Sequence, residues 1–220
     1  DEHQCVIIMT VHHAILDGWS VVSLLTEFNN TYIKLLEDKD YTLDKLKTDY
    51  KEYVAIGMRR KGSEKTLSFW EETLKDYSRN KLPFNYTGSQ RNDYFKMKKH
   101  IKFLDKEFLE KLERQATEYN CSIREIFLSA YVYLMHLTTT ETDVLTGMVT
   151  HDRPVVEDGD KILGCFLNTL PLRIEIDGPI KKSELVARVV KYMVKAKPHE
   201  IFLADIATHL GEKANSRNPF

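Results

Sequence analysis

Two patterns of apolar residues stand near the beginning of the chain, one typical of a strand and one typical of a helix. Residues 6–11 are almost all apolar and rich in β-branched side chains, which predicts a buried strand. In residues 19–37 the apolar positions recur at helical spacing, which predicts a long amphipathic helix with Ser20 as its N-cap. The apolar positions of this helix are Val21, Leu24, Leu25, Phe28, Tyr32, Leu35 and Leu36.

The rest of the chain alternates helix-like and strand-like patterns. The sequence Ser122-Ile123-Arg124-Glu125 has the form of a capping box, which predicts that a helix begins at Ser122. Strands interleaved with amphipathic helices indicate an α/β sandwich in which helices cover one face of each sheet. The other predicted elements are helices at 43–60, 64–77, 105–119, 182–196 and 202–210, and strands at 94–103, 143–149 and 166–176.

A polar stretch at residues 78–92 interrupts these elements. It contains Pro83 and Gly88, which favour turns, so we interpret it as a linker between two lobes. The predicted division is 1–80 for the end of a first lobe, 81–92 for the linker and 93–220 for most of a second lobe.

The composition is that of a globular protein, with 42% hydrophobic and 30% charged residues and a formal net charge of -1. Balanced charge argues against a nucleic-acid-binding protein, which would have a basic excess. No apolar run approaches the length needed to cross a membrane, so no membrane association is expected. Cys5, Cys121 and Cys165 are widely spaced, which indicates reduced core residues and a cytoplasmic location.

The chemically most suggestive segment is His12-His13-Ala14-Ile15-Leu16-Asp17-Gly18. Neighbouring residues on a strand face opposite ways, so we expect His12 to be structural and His13 to be available as a general base. Asp17 lies at the following turn, where a carboxylate can orient an imidazole or pair with a cation. Gly18 permits a close backbone approach or a positive φ just before a helix N-terminus, whose free N–H groups favour a developing oxyanion.

Two simpler interpretations compete for this segment. Two histidines and an aspartate are candidate metal ligands, but opposite-facing histidines without a third ligand nearby argue against a metal site. A polar strand end followed by an Asp-Gly turn would also produce these residues. Only the joint pattern favours a catalytic function.

That joint pattern, His-His-x-x-x-Asp-Gly followed by Trp19-Ser20, resembles the signature of the condensation domains of non-ribosomal peptide synthetases, which belong to the chloramphenicol acetyltransferase-like superfamily. Further segments resemble this family in the expected order. They are Tyr50-Lys51-Glu52-Tyr53-Val54, Phe69-Trp70-Glu71-Glu72-Thr73-Leu74, Asp143-Val144 to Gly147, Arg153-Pro154, Ile162 to Arg173 and Ser216-Arg217-Asn218-Pro219-Phe220.

The resemblance implies a V-shaped pair of α/β lobes, here incomplete, with the second histidine in a tunnel between them. Carrier proteins would bring thioester-linked substrates on phosphopantetheine arms, and neighbouring adenylation domains would load those carriers. The implied reaction is amide formation, in which His13 removes a proton from the attacking amine or positions it. The N–H region of Gly18 would orient the donor, and no metal or directly bound organic cofactor is required.

The resemblance also implies supporting roles for other residues. Asp17 would turn away from His13 and pair with Arg153. Asn168 either lines the tunnel or caps a strand end, and Trp19 and His12 complete the motif. The aromatic residues among the matching segments, Phe69, Trp70, Tyr50 and Tyr53, are expected to be core residues.

The sequence departs from the family pattern at two places, and two alternative functions are open. Asp152 stands where the family usually has a glycine, and the segment around Pro198-His199-Glu200 matches poorly. An epimerisation domain uses the same histidine motif, although Ser-Trp would then be expected in place of Trp19-Ser20. A non-catalytic carrier-docking module is the other alternative. Compared with the family, the sequence lacks segments at both ends, so we expect this stretch alone to be inactive.

Overall fold

The structure, a computed structural model, describes residues 6–81 and 99–212. Residues 82–92 of the predicted linker, the first half (94–98) of the predicted strand at 94–103, the matching segment at 216–220 and Cys5 lie outside the described residues. The elements in chain order are α1 (Gly18–Glu37), α2 (Tyr50–Lys61), α3 (Glu64–Thr73), α4 (Lys106–Glu118), α5 (Ile123–Thr139), β1 (Asp143–His151), β2 (Leu167–Glu175), α6 (Lys182–Ala196), a 3-10 turn (Lys197–His199) and α7 (Leu203–His209). In the described part of the chain no helix is long and apolar enough to cross a membrane.

The first helix begins earlier than predicted because Asp17, and not Ser20, is its N-cap. Asp17 has the extended backbone that an N-cap requires, and its carboxylate accepts a hydrogen bond from the Ser20 N–H. Ser20 already lies in the first turn, so its own hydroxyl is free for other contacts. The predicted N-cap at Ser20 is therefore wrong.

The predicted strand at 6–11 is also wrong, because these residues are irregular and exposed. A strand is stable only when a neighbouring strand accepts its backbone hydrogen bonds, and no described residue pairs with this segment. Residues 99–103, at the end of the predicted strand at 94–103, are likewise irregular. Without a strand at 6–11, nothing in the local backbone requires His12 and His13 to point to opposite faces.

The predicted helix at 43–60 begins only at Tyr50. Asp49 caps it by accepting a hydrogen bond from the Lys51 N–H at 2.9 Å. The preceding residues are held in another conformation, since the Lys47 N–H donates to Asp158 Oδ2 at 3.2 Å. The helix predicted at 64–77 ends at Thr73, shortly before Asp76 takes a positive φ of 54°.

The second half of the chain agrees well with the sequence patterns. Helix α4 is capped by Asp105, α5 starts with the predicted capping box, and α6 has the predicted bounds. Strands β1 and β2 form an antiparallel pair whose register runs from Asp143 opposite Glu175 to His151 opposite Leu167. Among the described residues these two strands make up the sheet, and α5 contacts β1 while α6 contacts β2.

The main hydrophobic core lies between this sheet and the helices that cover it. Val144 and Met148 of β1 lie opposite Ile174 and Leu170 of β2, and all four are buried. The core also contains Trp70, whose indole N–H donates to the His199 carbonyl at 2.8 Å. The helix α3, from the part of the chain assigned to the first lobe, thus packs in the same core as the second-lobe sheet.

Helix α1 takes no part in the hydrophobic clusters of the described residues. Its side chains Val22, Phe28, Tyr32 and Leu36 are exposed. Helix α5 by contrast places Val132 in the main core. The position of α1 is instead fixed through its N-terminus, where the candidate site begins.

Candidate active site

The carboxylate of Asp17 is the centre of the candidate site. Its Oδ1 accepts a hydrogen bond from the Ser20 N–H at 2.7 Å, which caps α1. Its Oδ2 accepts a hydrogen bond from the Phe166 N–H at 3.0 Å, just before β2. The side chain is only 2% exposed. One buried carboxylate therefore joins the start of α1 to the start of β2.

Arg153 approaches this carboxylate from the loop between β1 and β2, as the resemblance implies. Its Nη2 lies 3.4 Å from Asp17 Oδ1 and donates to the Ser20 hydroxyl at 2.8 Å. Its Nη1 donates to the carbonyls of Ile162 at 2.6 Å and Gly159 at 3.1 Å. Arg153 contacts only one of the two carboxylate oxygens, because the Phe166 N–H occupies Oδ2. The guanidinium instead binds a hydroxyl and two backbone carbonyls, and so fixes its own loop.

An aromatic ring completes the surroundings of Arg153. The guanidinium carbon lies 4.0 Å from the centroid of the Phe166 ring, within the range of a cation–π interaction. Phe166 in turn packs against Tyr50 and Tyr53 at centroid distances of 5.2 and 4.8 Å. Tyr53 and Phe166 are buried, so the expectation of a core position is confirmed for Tyr53.

Two residues that the motif analysis missed hold the site together. The Ser20 hydroxyl donates to the Gly164 carbonyl at 2.7 Å and accepts from the Gly164 N–H at 3.1 Å. The Gly164 carbonyl also accepts from the Asp17 N–H at 3.1 Å. A Cβ atom at position 164 would lie 2.2 Å from Cδ2 of Tyr50, so only glycine fits there. The available signal for this close contact was the glycine in the matching segment Ile162 to Arg173.

Burial and hydrogen bonding act in opposite directions on the pKa of Asp17. Burial alone would raise this pKa, but the N–H groups of Ser20 and Phe166, the Ser20 hydroxyl and Arg153 together lower it below its usual value. For Arg153, burial lowers the pKa and Asp17 offsets only part of that effect. The lowered pKa of Asp17 favours its ionised form, whereas the lowered pKa of Arg153 disfavours its ionised form. Both groups are charged at neutral pH, because the ordinary pKa of a guanidinium lies so far above 7 that burial does not bring it down to neutral.

The two histidines lie in a turn that precedes α1. The Nδ1 atom of His12 accepts a hydrogen bond from the Ala14 N–H at 3.1 Å, and the His12 carbonyl accepts from the Ile15 N–H at 2.9 Å. His13 is exposed and has no hydrogen-bonding partner among the described residues. Each oxygen of Asp17 is bound by groups other than His13, so the two do not form a catalytic dyad. His12 thus stabilises the turn, while the ring of His13 is accessible.

Trp19 and Gly18 follow the cap and face outward. The indole N–H of Trp19 donates to the Asp160 carbonyl at 2.9 Å, and both residues line a cleft of about 760 Å³. Gly18 is the first residue of α1, has no positive φ, and has open space where a Cβ would lie. In the described part of the chain, neither a close backbone approach nor a positive φ therefore explains why a glycine stands at this position.

Asn168 lies apart from the histidines and connects two backbone segments. Its Nδ2 donates to the Ile201 carbonyl at 2.9 Å, and its Oδ1 accepts from the Thr169 N–H at 2.8 Å. These contacts correspond to the strand-end cap, one of the two roles considered for Asn168. Arg173 forms an ion pair with Asp143 at 2.8 Å.

The donor set in residues 6–81 and 99–212 does not form a metal centre, since no three side chains of the ligand types His, Cys, Asp and Glu are grouped to hold an ion. The groups of the site that can act chemically are the accessible imidazole of His13, the N-terminus of α1 and the fixed guanidinium of Arg153. This combination suits proton transfer or the positioning of an amine beside a helix N-terminus.

Known proteins share sequence with nearly the whole chain. The sequence model of a family described as "Condensation domain" matches residues 1–220. The chain is 28% identical over 211 residues to gramicidin S synthase 2 of Brevibacillus brevis, a match that covers 94% of the chain and 5% of that synthase. It is 27% identical over 211 residues to gramicidin S synthase 2 of Aneurinibacillus migulanus, with the same coverage of 94% and 5%. The chain therefore spans a small part of each relative.

Solved structures show the fold. The first condensation domain of the calcium-dependent antibiotic synthetase, in complex with substrate analogue 2a, superimposes with a TM-score of 0.70 at 21% identity, over 93% of this chain and 47% of that one. At these identities the likeness concerns the fold alone. It confirms the predicted α/β fold class, that of the chloramphenicol acetyltransferase-like condensation domains.

Proposed function

The chain belongs to the condensation-domain family, and from this premise we propose that it serves amide-bond formation in non-ribosomal peptide synthesis. The donor is an acyl or peptidyl thioester and the acceptor is an aminoacyl thioester, both carried on the phosphopantetheine arms of carrier proteins. Adenylation domains load those carriers. The single observation that carries the proposal is the accessible His13, presented by a turn whose following residue Asp17 is anchored to Arg153 and Phe166.

Asp17 supports this chemistry without taking part in proton transfer. Its oxygens are engaged by Ser20, Phe166 and Arg153, so the carboxylate fixes the start of α1 and leaves the His13 ring as the base. The amine of the acceptor attacks the thioester carbonyl, the C–N bond forms and the C–S bond breaks. His13 either takes the proton from the nitrogen and returns it to the departing sulfur, or holds the amine in place while that proton passes to the sulfur. In both cases the donor arm is released as a free thiol.

The test compares two neighbouring histidines in the intact synthetase module. His13→Ala should reduce amide formation between two loaded carriers by roughly a hundredfold or more. Carrier-protein binding, measured separately, should stay unchanged. His12→Ala is the matched control, because it alters the same exposed turn and leaves the His13 ring in place.

The products distinguish the competing functions. Retention of amide formation within a few-fold of wild type after His13→Ala would remove this residue from the mechanism. Inversion at the α-carbon without a new amide bond would identify an epimerisation domain. Carrier binding without turnover by the wild type would identify a docking module.

A further inference from the structure

Two departures from the family pattern lie together in the structure. Asp152 stands where the family usually has a glycine, and Glu200 belongs to the poorly matching segment around Pro198. Lys197 joins them, because its Nζ lies 2.8 Å from Asp152 Oδ1 and 2.8 Å from Glu200 Oε2. The two unusual segments are therefore parts of one ion network.

Further contacts extend this network to three elements. Arg60 of α2 donates to the second oxygen of Asp152, and the hydroxyl of Thr150 in β1 donates to Glu200. The Glu200 side chain is 2% exposed and carries its charge inside the protein. Two cations and two anions alternate, so the buried carboxylate of Glu200 and the partly exposed carboxylate of Asp152 each have a cationic neighbour. We call Arg60, Asp152, Lys197 and Glu200 the bridging network.

The bridging network is adjacent to the candidate active site in the chain and in space. Asp152 immediately precedes Arg153, and its N–H donates to the Phe166 carbonyl at 3.1 Å. The N–H of the same Phe166 binds Asp17. The backbone that carries Arg153 is thus held by the network on one side and by the Asp17 carboxylate on the other.

Lys197 is the most informative member of this network. Burial lowers its pKa, but the hydrogen bonds to Asp152 and Glu200 outweigh that effect and raise the pKa above its usual value. Its side chain is still 53% exposed, so a substitution there opens no cavity in the core, although it leaves the buried Glu200 without its cation and should lower the free energy of unfolding.

We infer that Asp152 and Lys197 are positioning residues that set the placement of Arg153 against Asp17 and Ser20, and through it the turn that presents His13. They touch no reacting group themselves. In a site of this kind a misplacement of about 1 Å is enough to slow the reaction up to a hundredfold. The kinetic part of the test rests on the proposed function, and the stability part does not.

The experiment uses Lys197→Met, Asp152→Asn and Lys197→Arg in the intact synthetase module. Lys161→Met is the control: its ammonium forms an ion pair with Asp158 at 2.7 Å on the same loop and is 57% exposed. At a temperature where each variant is fully folded, Lys197→Met and Asp152→Asn should lower kcat about tenfold and leave KM for the carriers unchanged. Lys197→Arg should restore kcat, since it keeps the cation, and Lys161→Met should change neither constant.

A second measurement is independent of turnover. Lys197→Met and Asp17→Asn are combined, and the midpoint of thermal unfolding is measured for each single and for the double variant. Positioning through a shared backbone predicts a double shift clearly smaller than the sum, whereas Lys161→Met with Asp17→Asn should be additive. Additive shifts together with an unchanged kcat would overturn the inference. Absence of amide formation in the wild type would defeat the proposed function alone, and the unfolding cycle would still decide the inference.

Discussion

Nη2 of Arg153 lies 3.4 Å from Oδ1 of Asp17, and the two side chains are 6% and 2% exposed. Removal of either partner leaves a buried charge without its counterpart. Asp17→Ala and Arg153→Ala should each reduce the free energy of unfolding by about 3–5 kcal/mol. The double variant should cost clearly less than the sum, because no unpaired charge remains. Denaturant unfolding of the four proteins measures this cycle, and strict additivity would disprove the coupling.

Close packing at Gly164 leads to a second prediction. Gly164→Ala forces a methyl group into the ring of Tyr50, so the free energy of unfolding should fall by about 1–3 kcal/mol. Tyr50→Ala should relieve part of this loss in the double variant. Gly18→Ala is the matched control, since a Cβ there meets nothing within 4 Å, and it should change stability by at most about 0.5 kcal/mol. Equal stability of Gly164→Ala and wild type would contradict the contact.

Acid should weaken the protein through Asp17. Its folded pKa lies below the usual value of 3.8, so the unfolded chain binds a proton more readily than the folded chain. The stability supplied by the ionised carboxylate is therefore complete above the unfolded pKa and is lost as the pH falls through the folded pKa. Between about pH 5 and pH 2 the free energy of unfolding should fall more steeply for wild type than for Asp17→Asn. Parallel curves would show that Asp17 does not contribute this dependence.

The turn before α1 gives a prediction that separates structure from chemistry. His12→Ala removes the acceptor of the Ala14 N–H and should reduce the free energy of unfolding by about 0.5–1.5 kcal/mol. His13→Ala removes no hydrogen bond among the described residues and should leave the unfolding midpoint nearly unchanged. Thermal unfolding of the two variants side by side measures this difference. A larger loss for His13 would assign it a structural role.

The sequence was most informative where local rules decide the structure. The capping box at Ser122 and the periodicity of 182–196 are properties of single helices, and the structure contains both elements as predicted. The pairing of Asp17 with Arg153 was also expected, although from family resemblance and the need of a buried carboxylate for a partner. The partner of the second carboxylate oxygen of Asp17 could not be predicted, because the Phe166 N–H reaches that oxygen only through the tertiary fold.

The predictions that failed did so for different physical reasons. Residues 6–11 have the composition of a strand, but a strand forms only beside a partner, and composition does not specify one. Ser20 is a good N-cap by residue type, yet Asp17 lies three residues earlier and has the required extended backbone. The meeting of Asp152 and Glu200 at Lys197 was invisible because each appeared only as a local departure from a pattern.

The contacts of Asp17 and Ser20 also bear on the order of folding. Asp17 and Phe166 are 149 positions apart, and Ser20 and Gly164 are 144 positions apart. Closing loops of this length is costly in entropy, so such contacts form after the local helices and turns. A growing chain therefore contains the residues of the His-His-x-x-x-Asp-Gly motif long before Asp17 and Ser20 can make these contacts. The contacts of Asp17 with Phe166 and of Ser20 with Gly164 become complete only once the chain has been synthesised past Phe166.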